Sequence, residues 1–330
     1  MFRLRTIRKK PPLAVHALRG AEVAFWLMLA LAVGVGGYGA LDGLPGLGGL
    51  VSPGNPFAAE ARGKPQFSTL VLLGPTPGTK APLLFPRDTQ EGTAPRAGRL
   101  AAIAIVIDDM GNDAANDRRA IALPRAVALS FLPYPDGTQV LAREGARAGH
   151  DILAHVPMQA EGAGVDPGPM ALRLDLPGEE NTRRLEWALS RVPGYVGINN
   201  HEGSAFTQDR RALLPVAEAL ADRRVFFFDS RTTPNSQVVP VARAFGVPSA
   251  ARDVFLDDVQ TAQAVEGQLA RLEALARRGG VAIAIGHPHA VTLDVLTRWC
   301  ASLKGYRLIP LAGAIGMKTQ KEMSLAALGR

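Results

Sequence analysis

The stretch Ile103-Ala-Ile-Val-Ile-Asp108-Asp109 decides the fold prediction, because five apolar residues run directly into two adjacent carboxylates. A continuous apolar run bounded by polar residues is typical of a strand covered on both faces, as in a parallel sheet. Two neighbouring aspartates ionise together only at a cost, unless a cation or a shared proton relieves their repulsion. The stretch therefore predicts a buried strand that ends in a metal site or an acid/base pair; a solvated loop or a helix N-cap is the alternative.

Short apolar runs alternate with helical patterns after Leu100. The predicted strands cover 102–107, 126–131, 151–155, 195–199, 225–229, 281–286 and 307–311. The predicted helices cover 112–122, 138–148, 179–191, 208–223, 261–278 and 291–303. This alternation predicts βα units and a parallel sheet, either a barrel or an open doubly wound sheet.

The N-terminal part of the chain has a different composition. Residues 23–41 carry no formal charge, which is a run just long enough to cross a bilayer, and basic residues precede it. The positive-inside rule then places the basic segment in the cytoplasm and the rest of the chain on the periplasmic side of the inner membrane, with a cleaved signal peptide as the alternative. The predicted order is a basic segment 1–20, a transmembrane signal anchor 21–41, a Pro/Gly-rich disordered linker 42–98, a folded domain 99–316 and a C-terminal tail 317–330.

Composition excludes some classes of site. The net charge is +7, but six basic residues precede the first acidic residue, Glu22, so much of the excess belongs to the N-terminal segment. Aromatic residues make up 6% and do not interleave with basic clusters, which argues against a nucleic-acid partner. Cys300 is the single cysteine, so any metal must use His, Asp or Glu.

Polar side chains collect where five predicted strands end. They are Asp108-Asp109, His155, Asn199-Asn200-His201, Asp229-Ser230-Arg231 and His287. In α/β barrels and open sheets the active site lies at the carboxyl ends of the strands, so these side chains are expected to converge. One Asp with two His is a ligand set suited to Zn, Mn, Fe, Co or Ni, with open positions for water and substrate. The pattern predicts metal-dependent hydrolysis.

Several ordered motifs resemble those of the polysaccharide deacetylase superfamily. Gly149-His-Asp-Ile-Leu-Ala-His155 resembles its Gly-His-Glu-Ile-x-x-His segment, and Ile107-Asp-Asp109 resembles its Asp-Asp motif. The similarity is closer to the divergent (YibQ-like) branch and covers about residues 99–315. Motifs of that branch lie at 105–111, 129–134, 155–158, 196–201, 227–232, 252–256 and 285–288. The resemblance implies an irregular (β/α) barrel of about seven strands.

The resemblance also implies residue roles. In the superfamily the first Asp of the pair is the base, and the second binds the metal with two histidines of a His-Thr-x-x-His motif. This chain has His155-Val-Pro-Met-Gln, so the second histidine is missing and His201 is expected to replace it. The expected set is Asp108 as base and His287 as general acid, with Asp109, His155 and His201 as metal ligands. Their places at strand ends, rather than the resemblance, suggest Asp229 as orienter, Arg231 as a substrate or oxyanion contact and Asn200 as a substrate contact.

Three functions are compatible with these features. The first is a membrane-tethered hydrolase that uses a divalent metal, with zinc as the first expectation, to remove acetyl groups from an envelope polysaccharide or a peptidoglycan-like glycan. The missing histidine supports an alternative, a catalytically inactive carbohydrate-binding or scaffold protein. A third, a phosphoryl-handling domain, needs a phosphoacceptor Asp and a Lys at later strand ends, where this chain has His and Arg.

Overall fold

The computed structural model describes residues 100–162 and 164–328 of the chain, with side chains through residue 325. The predicted basic segment, signal anchor and linker all lie outside these residues. None of the helices within the described ranges combines the length and apolar character needed to cross a membrane.

The strands of the described ranges form one sheet in which every pairing is parallel. The strands are β1 (Ala101–Met110), β2 (Ala128–Phe131), β3 (Ile152–Met158), β4 (Tyr195–Glu202), β5 (Phe226–Asp229), β6 (Ser249–Ala251), β7 (Val254–Phe255), β8 (Val281–Gly286) and β9 (Tyr306–Leu308). Their order is β6-β5-β4-β3-β2-β1-β8-β7, with β9 beside the start of β1. Because parallel neighbours need crossover connections, helices separate most of them.

The helices of the described ranges follow the predicted alternation. They are α1 (Ala114–Ile121), α2 (Thr138–Ala148), α3 (Gly178–Arg191), α4 (Arg210–Arg223), α5 (Val238–Ala244), α6 (Ala262–Gly279), α7 (Ala290–Ser302) and α8 (Leu311–Leu328), with a short 3₁₀ helix at Phe206–Gln208. Six of them correspond to predicted helices, whereas α5 and α8 were not predicted. Helix α8 runs through most of the segment 317–330, which was predicted as a separate tail.

One segment, Ser249 to Phe255, connects the two ends of the sheet. Its first part, β6, pairs with β5, and its second part, β7, pairs with β8. If this segment is counted as one broken strand, the irregular barrel has seven strands, and the predicted fold class is confirmed. The prediction was wrong about which segment is the seventh barrel strand. The predicted strand 307–311 corresponds to β9, which lies outside the main strand order.

The strands alternate between two apolar clusters. In β1, Ala102, Ala104 and Val106 belong to the cluster inside the barrel, while the isoleucines between them pack against the outer helices. Small residues suit the inner face because the interior of a small barrel is filled by side chains from every strand. Leu311, Ala314 and Ile315 of α8 join the inner cluster, so this helix completes the barrel interior.

Candidate active site

An irregularity in β1 brings two adjacent aspartates to one side of the sheet. Ile107 pairs with Leu129 and Met110 with Phe131, so β1 has one more residue than β2 over this stretch. Neighbouring side chains of a regular strand point to opposite faces, and a bulge changes this direction. Asp109 has a φ of 56°, in the left-handed region. As a result, Asp108 and Asp109 both approach the histidines at the mouth of the barrel.

Left-handed backbone also follows two other strands that carry predicted site residues. Glu202 at the end of β4 has a φ of 50°, and Arg231 after β5 has a φ of 52°. Such residues cost about 1 to 3 kcal/mol each and concentrate at functional sites, where the surrounding structure holds them. The strain therefore marks the same edge of the barrel as the polar side chains do.

Three side chains present their donor atoms to a common point. Oδ1 of Asp109 lies 3.2 Å from Nε2 of His155 and 2.8 Å from Nδ1 of His201. One donor atom from each residue lies within 4.8 Å of the other two. Oδ1 of Asp109 is buried, yet no hydrogen bond of acceptable geometry reaches it. Because a buried oxygen without a partner is costly, the arrangement suits a cation placed among the three atoms.

The donor set fits a divalent metal. A carboxylate and two imidazoles are common ligands of zinc and of similar transition metals, and tetrahedral zinc ligands lie about 3.3 Å apart. The two distances from Asp109 are close to that spacing. Burial alone would raise the pKa of Asp109, but the rings of His155 and His201 hold it well below its usual range, so the carboxylate is ionised, as a metal ligand must be.

Asn199 connects a predicted ligand to the predicted base. Its Nδ2 donates to both carboxylate oxygens of Asp108, at 2.9 and 3.0 Å, and to Oγ of Ser230. Its Oδ1 can then only accept, and it lies 2.9 Å from Nδ1 of His155. Nδ1 of His155 therefore carries a proton, and Nε2 is the ring nitrogen that faces Asp109 and would bind a metal. The hydroxyl of Ser130 donates to the same Oδ1.

Asp108 is enclosed beside this group, with 1% of its surface exposed. Burial raises the pKa of Asp108 above its usual value, although His155 and His287 act in the opposite direction. Nε2 of His155 lies 3.7 Å from its Oδ2. A buried carboxylate with a raised pKa is the type of group that accepts a proton near neutral pH.

His287 faces the same point from the other side. Its Nδ1 lies 2.9 Å from Oδ1 of Asp257, and Oδ2 of Asp257 accepts from the backbone N–H of His287 and from Oγ1 of Thr292. Nε2 of His287 is thereby directed towards Oδ2 of Asp109, 3.8 Å away. Burial lowers the pKa of His287, but Asp257 outweighs this effect and raises it to about 9. The ring is thus protonated at neutral pH.

A cavity of about 500 Å³ opens beside these groups. Asp109 and His287 line it, together with residues of α1 and the start of α7. His289, which the sequence placed at the periphery, also lines the cavity, and its Nε2 lies 3.0 Å from the side-chain nitrogen of Gln260. The cavity gives a bound molecule access to Asp109 and His287.

The hydrogen bonds of Asn200 and Asp229 that fix the loops after β4 and β5 do not involve Asp109, His155 or His201. Asn200 is buried; its Oδ1 accepts from the N–H of Ser230 and its Nδ2 donates to the carbonyl of Glu202, so it braces two loops. Asp229 is buried as well and accepts from the N–H of Arg231 at 2.7 Å. Arg231 is exposed. Their predicted roles as substrate contacts and orienter stay predictions.

Sequence reasoning missed Asn199, Ser130 and Asp257. Asn199 was part of a quoted strand end, and it stands two residues before His201, on the same face of β4, which is the signal that could have identified it. Ser130 is one residue before the end of β2. Asp257 follows the short strand β7, which the sequence did not predict.

The fold and the site together define an α/β barrel with an Asp–His–His group at its mouth, flanked by the carboxylate of Asp108 and the imidazole of His287. The family model described as divergent polysaccharide deacetylase matches residues 105–314, more than half of the chain. The chain belongs to this family, and the resemblance seen in its motifs is confirmed.

Similar proteins agree with this assignment. The uncharacterized protein YibQ of Escherichia coli K12 is 37% identical over 210 residues, which span 63% of this chain and 64% of that protein. An uncharacterized protein of Haemophilus influenzae is 36% identical over 195 residues, 59% of this chain and 69% of its own length. The crystal structure of an uncharacterized protein from Agrobacterium tumefaciens C58 has a TM-score of 0.63 at 28% identity, covering 66% of this chain and 91% of that one.

Proposed function

We propose that the chain is a metal-dependent hydrolase that removes acetyl groups from an N- or O-acetylated polysaccharide of the cell envelope. The observation that carries this proposal is the unpartnered Oδ1 of Asp109 between His155 and His201, with Asp108 and His287 on either side. Membership of the deacetylase family supports a hydrolase acting on carbohydrate. The charge pattern of residues 1–41 supports a single-pass inner-membrane location with the domain in the periplasm.

The residues divide the chemistry among themselves. Asp109, His155 and His201 would hold a divalent cation, with zinc as the first expectation, which supplies an electrophile for the acyl carbonyl and for water. Asp108 accepts the proton of the attacking water, since its burial raises its pKa and favours the protonated carboxyl. Asn199 holds Asp108 in place through both carboxylate oxygens.

His287 completes the reaction at the leaving group. Its ring is protonated because Asp257 raises its pKa to about 9, and its Nε2 faces the site. It donates this proton to the nitrogen or oxygen of the sugar as the bond to the acyl carbon breaks. Water and the acetylated sugar are thereby converted into acetate and the free amine or alcohol.

An inactive glycan-binding protein is the second candidate, since the usual second histidine of the ligand motif is missing. Nδ1 of His201 lies 2.8 Å from Oδ1 of Asp109, so β4 offers a third donor in its place. The buried base and the protonated His287 would also serve no purpose in a site that only binds. These contacts favour the enzyme.

Metal content and acetate release test the proposal together. The full chain should bind close to one equivalent of metal and release acetate from an acetylated envelope glycan. Asp109→Ala and His201→Ala should lose both, whereas Glu218→Ala, on the exposed face of α4, should keep both. Full metal content in either site variant would contradict the ligand assignment. Metal binding without acetate release from any acetylated glycan would favour the binding protein.

A further inference from the structure

A second cavity, of about 430 Å³, lies at the seam where the barrel changes from β6 to β7. Three arginines line it, and we call it the arginine pocket: Arg231 from the turn after β5, Arg252 from the link between β6 and β7, and Arg271 from α6. Thr232, Thr233, Pro234 and Asp253 line the rest. Arginines that line one cavity from three separate elements are typical of a site for a carboxylate or a phosphate.

The positive charge of the arginine pocket has little compensation. Asp253 is the single acid in its lining, and Nζ of Lys318 pairs with that carboxylate at 2.7 Å. Asp229 lies nearby, but it is buried and its Oδ1 accepts from the N–H of Arg231. Burial and the neighbouring Arg231 lower the pKa of Arg252 and outweigh Asp229, Asp108 and Asp258, which act in the opposite direction. An anion entering the pocket would relieve this imbalance.

Arg252 is held in a fixed position. Its Nε donates to the carbonyl of Ser230 and its Nη2 to the carbonyl of Arg231, so two backbone groups orient the guanidinium. Its Cζ lies 4.9 Å from the centre of the Phe255 ring. The cation–π contact and the two carbonyl acceptors fix the orientation of the guanidinium. Its remaining N–H groups are therefore preorganised, which lowers the entropic cost of binding an anion.

The same aromatic ring connects the arginine pocket to the catalytic centre. The rings of Phe255 and His287 have their centroids 5.2 Å apart. Phe255 therefore contacts both Arg252 and the predicted general acid. A polymer whose acetylated sugar lies at His287 would bring a neighbouring unit close to the arginines.

We propose that the arginine pocket binds an anionic group, a carboxylate or a phosphate, carried by the glycan next to the sugar that loses its acetyl group. The substrate is then an acidic polysaccharide. The identity of the anion's carrier rests on the proposed function, but the binding of the anion does not.

Binding of small anions tests the arginine pocket directly. Inorganic phosphate and D-glucuronate are titrated into the full chain by calorimetry at constant ionic strength, with EDTA present so that no metal binds them. Arg271→Gln should weaken the tighter of the two by about tenfold, the loss typical of one charge-assisted hydrogen bond. Arg278→Gln, an exposed arginine two turns further along α6, makes the same change in net charge and should leave the affinity as it is.

The two ligands distinguish the source of the anion. Tighter binding of phosphate assigns the pocket to a phosphorylated glycan, and tighter binding of glucuronate to a glycan with carboxylates. The proposal would be overturned if wild type, Arg271→Gln and Arg278→Gln bound the ligands with equal affinity. It would also be overturned if neither ligand showed saturable binding.

Acetate release from a neutral and an acidic acetylated oligosaccharide of equal length separates this proposal from the proposed function. Arg271→Gln should lower the ratio of kcat/KM for the acidic over the neutral substrate by about tenfold. Acetate release with an unchanged ratio would refute the arginine pocket and keep the hydrolase. Arginine-dependent phosphate or glucuronate binding without acetate release would refute the hydrolase and keep the pocket.

Discussion

His155 and Asn199 are joined by one hydrogen bond, 2.9 Å from Nδ1 of the imidazole to Oδ1 of the amide. The same amide donates to both oxygens of Asp108. A single side chain, fully buried on β4, therefore orients a metal-ligand candidate on β3 and the candidate base on β1. Loss of this amide would disturb two functional groups at once.

Asn199→Ala should weaken metal binding by about 10- to 100-fold, the usual effect of removing a partner that orients a ligating histidine. The metal dissociation constant, measured by chelator competition, checks this. Asn200→Ala is the matched control, because Asn200 braces the loops after β4 and β5 and does not reach His155. The control should lower the melting temperature and keep the metal affinity. Unchanged affinity in Asn199→Ala would refute the orienting role.

Asp257→Asn should lower kcat by about 100-fold while the metal content stays the same, because His287 loses the carboxylate that keeps it protonated. Steady-state kinetics with elemental analysis checks this. Thr292→Val removes the hydroxyl that donates to Oδ2 of Asp257 but keeps the hydrogen bond between Oδ1 of Asp257 and His287. Its effect on kcat should therefore be below about tenfold. A normal kcat in Asp257→Asn would remove His287 from the role of general acid.

Asp117 makes the stability of the barrel depend on pH. It is fully buried, Oδ2 accepts from the N–H of Gly111, and Oδ1 has no partner. Burial raises its pKa from 3.8 to about 6. The folded state thus binds the proton more tightly than the unfolded state. The stabilisation is complete below pH 3.8 and is lost as the pH rises through about 6.

Asp117→Asn keeps an acceptor for Gly111 and removes this titration. Between pH 4 and pH 7, the free energy of unfolding of wild type should fall by about 2 kcal/mol relative to that of the variant. Chemical denaturation at several pH values measures this difference. Glu218→Gln changes an exposed residue and should show the same pH dependence of the free energy of unfolding as wild type. If this pH dependence were the same in Asp117→Asn and wild type, the prediction would be contradicted.

Gly197→Ala should destabilise the domain by about 1 to 3 kcal/mol, the usual cost of overpacking. A Cβ at this position of β4 would overlap the ring of Phe226 in the neighbouring strand. Gly267→Ala, in the middle of α6 with open space around it, should instead stabilise by about 0.5 to 1 kcal/mol. Thermal unfolding compares the two variants, and an equally stable Gly197→Ala would show that Phe226 can move aside.

The elements found from the sequence are those with a strong local pattern. The apolar run before Asp108 has the length of a buried strand, and residues 138–148 have the apolar spacing of a helix. Both elements are present in the structure. The segment 249–255 contains Arg252 and Asp253, and its strands of three and two residues depend on pairing with β5 and β8. No local pattern marks such a strand, and Asp257, which follows it, was missed for the same reason.

The candidate site was partly predictable because the carboxyl ends of parallel strands meet at one edge of the sheet. Asp109, His155 and His201 are brought together as that rule requires. The roles within a strand end were harder to assign, because Asn199 and Asn200 are the same residue type on opposite faces of β4. Burial and hydrogen bonds, which are properties of the folded chain, separate the two.

β1 pairs with β8 and β9, and α8 lies in the barrel interior, so the start of the domain contacts its last elements. The first strand of the domain obtains its final neighbours only after nearly all later residues have been synthesised. Contacts so distant along the chain slow folding and leave apolar surface open in the meantime. A nascent chain that ends before Leu311 therefore lacks the residues of α8 that complete the barrel interior.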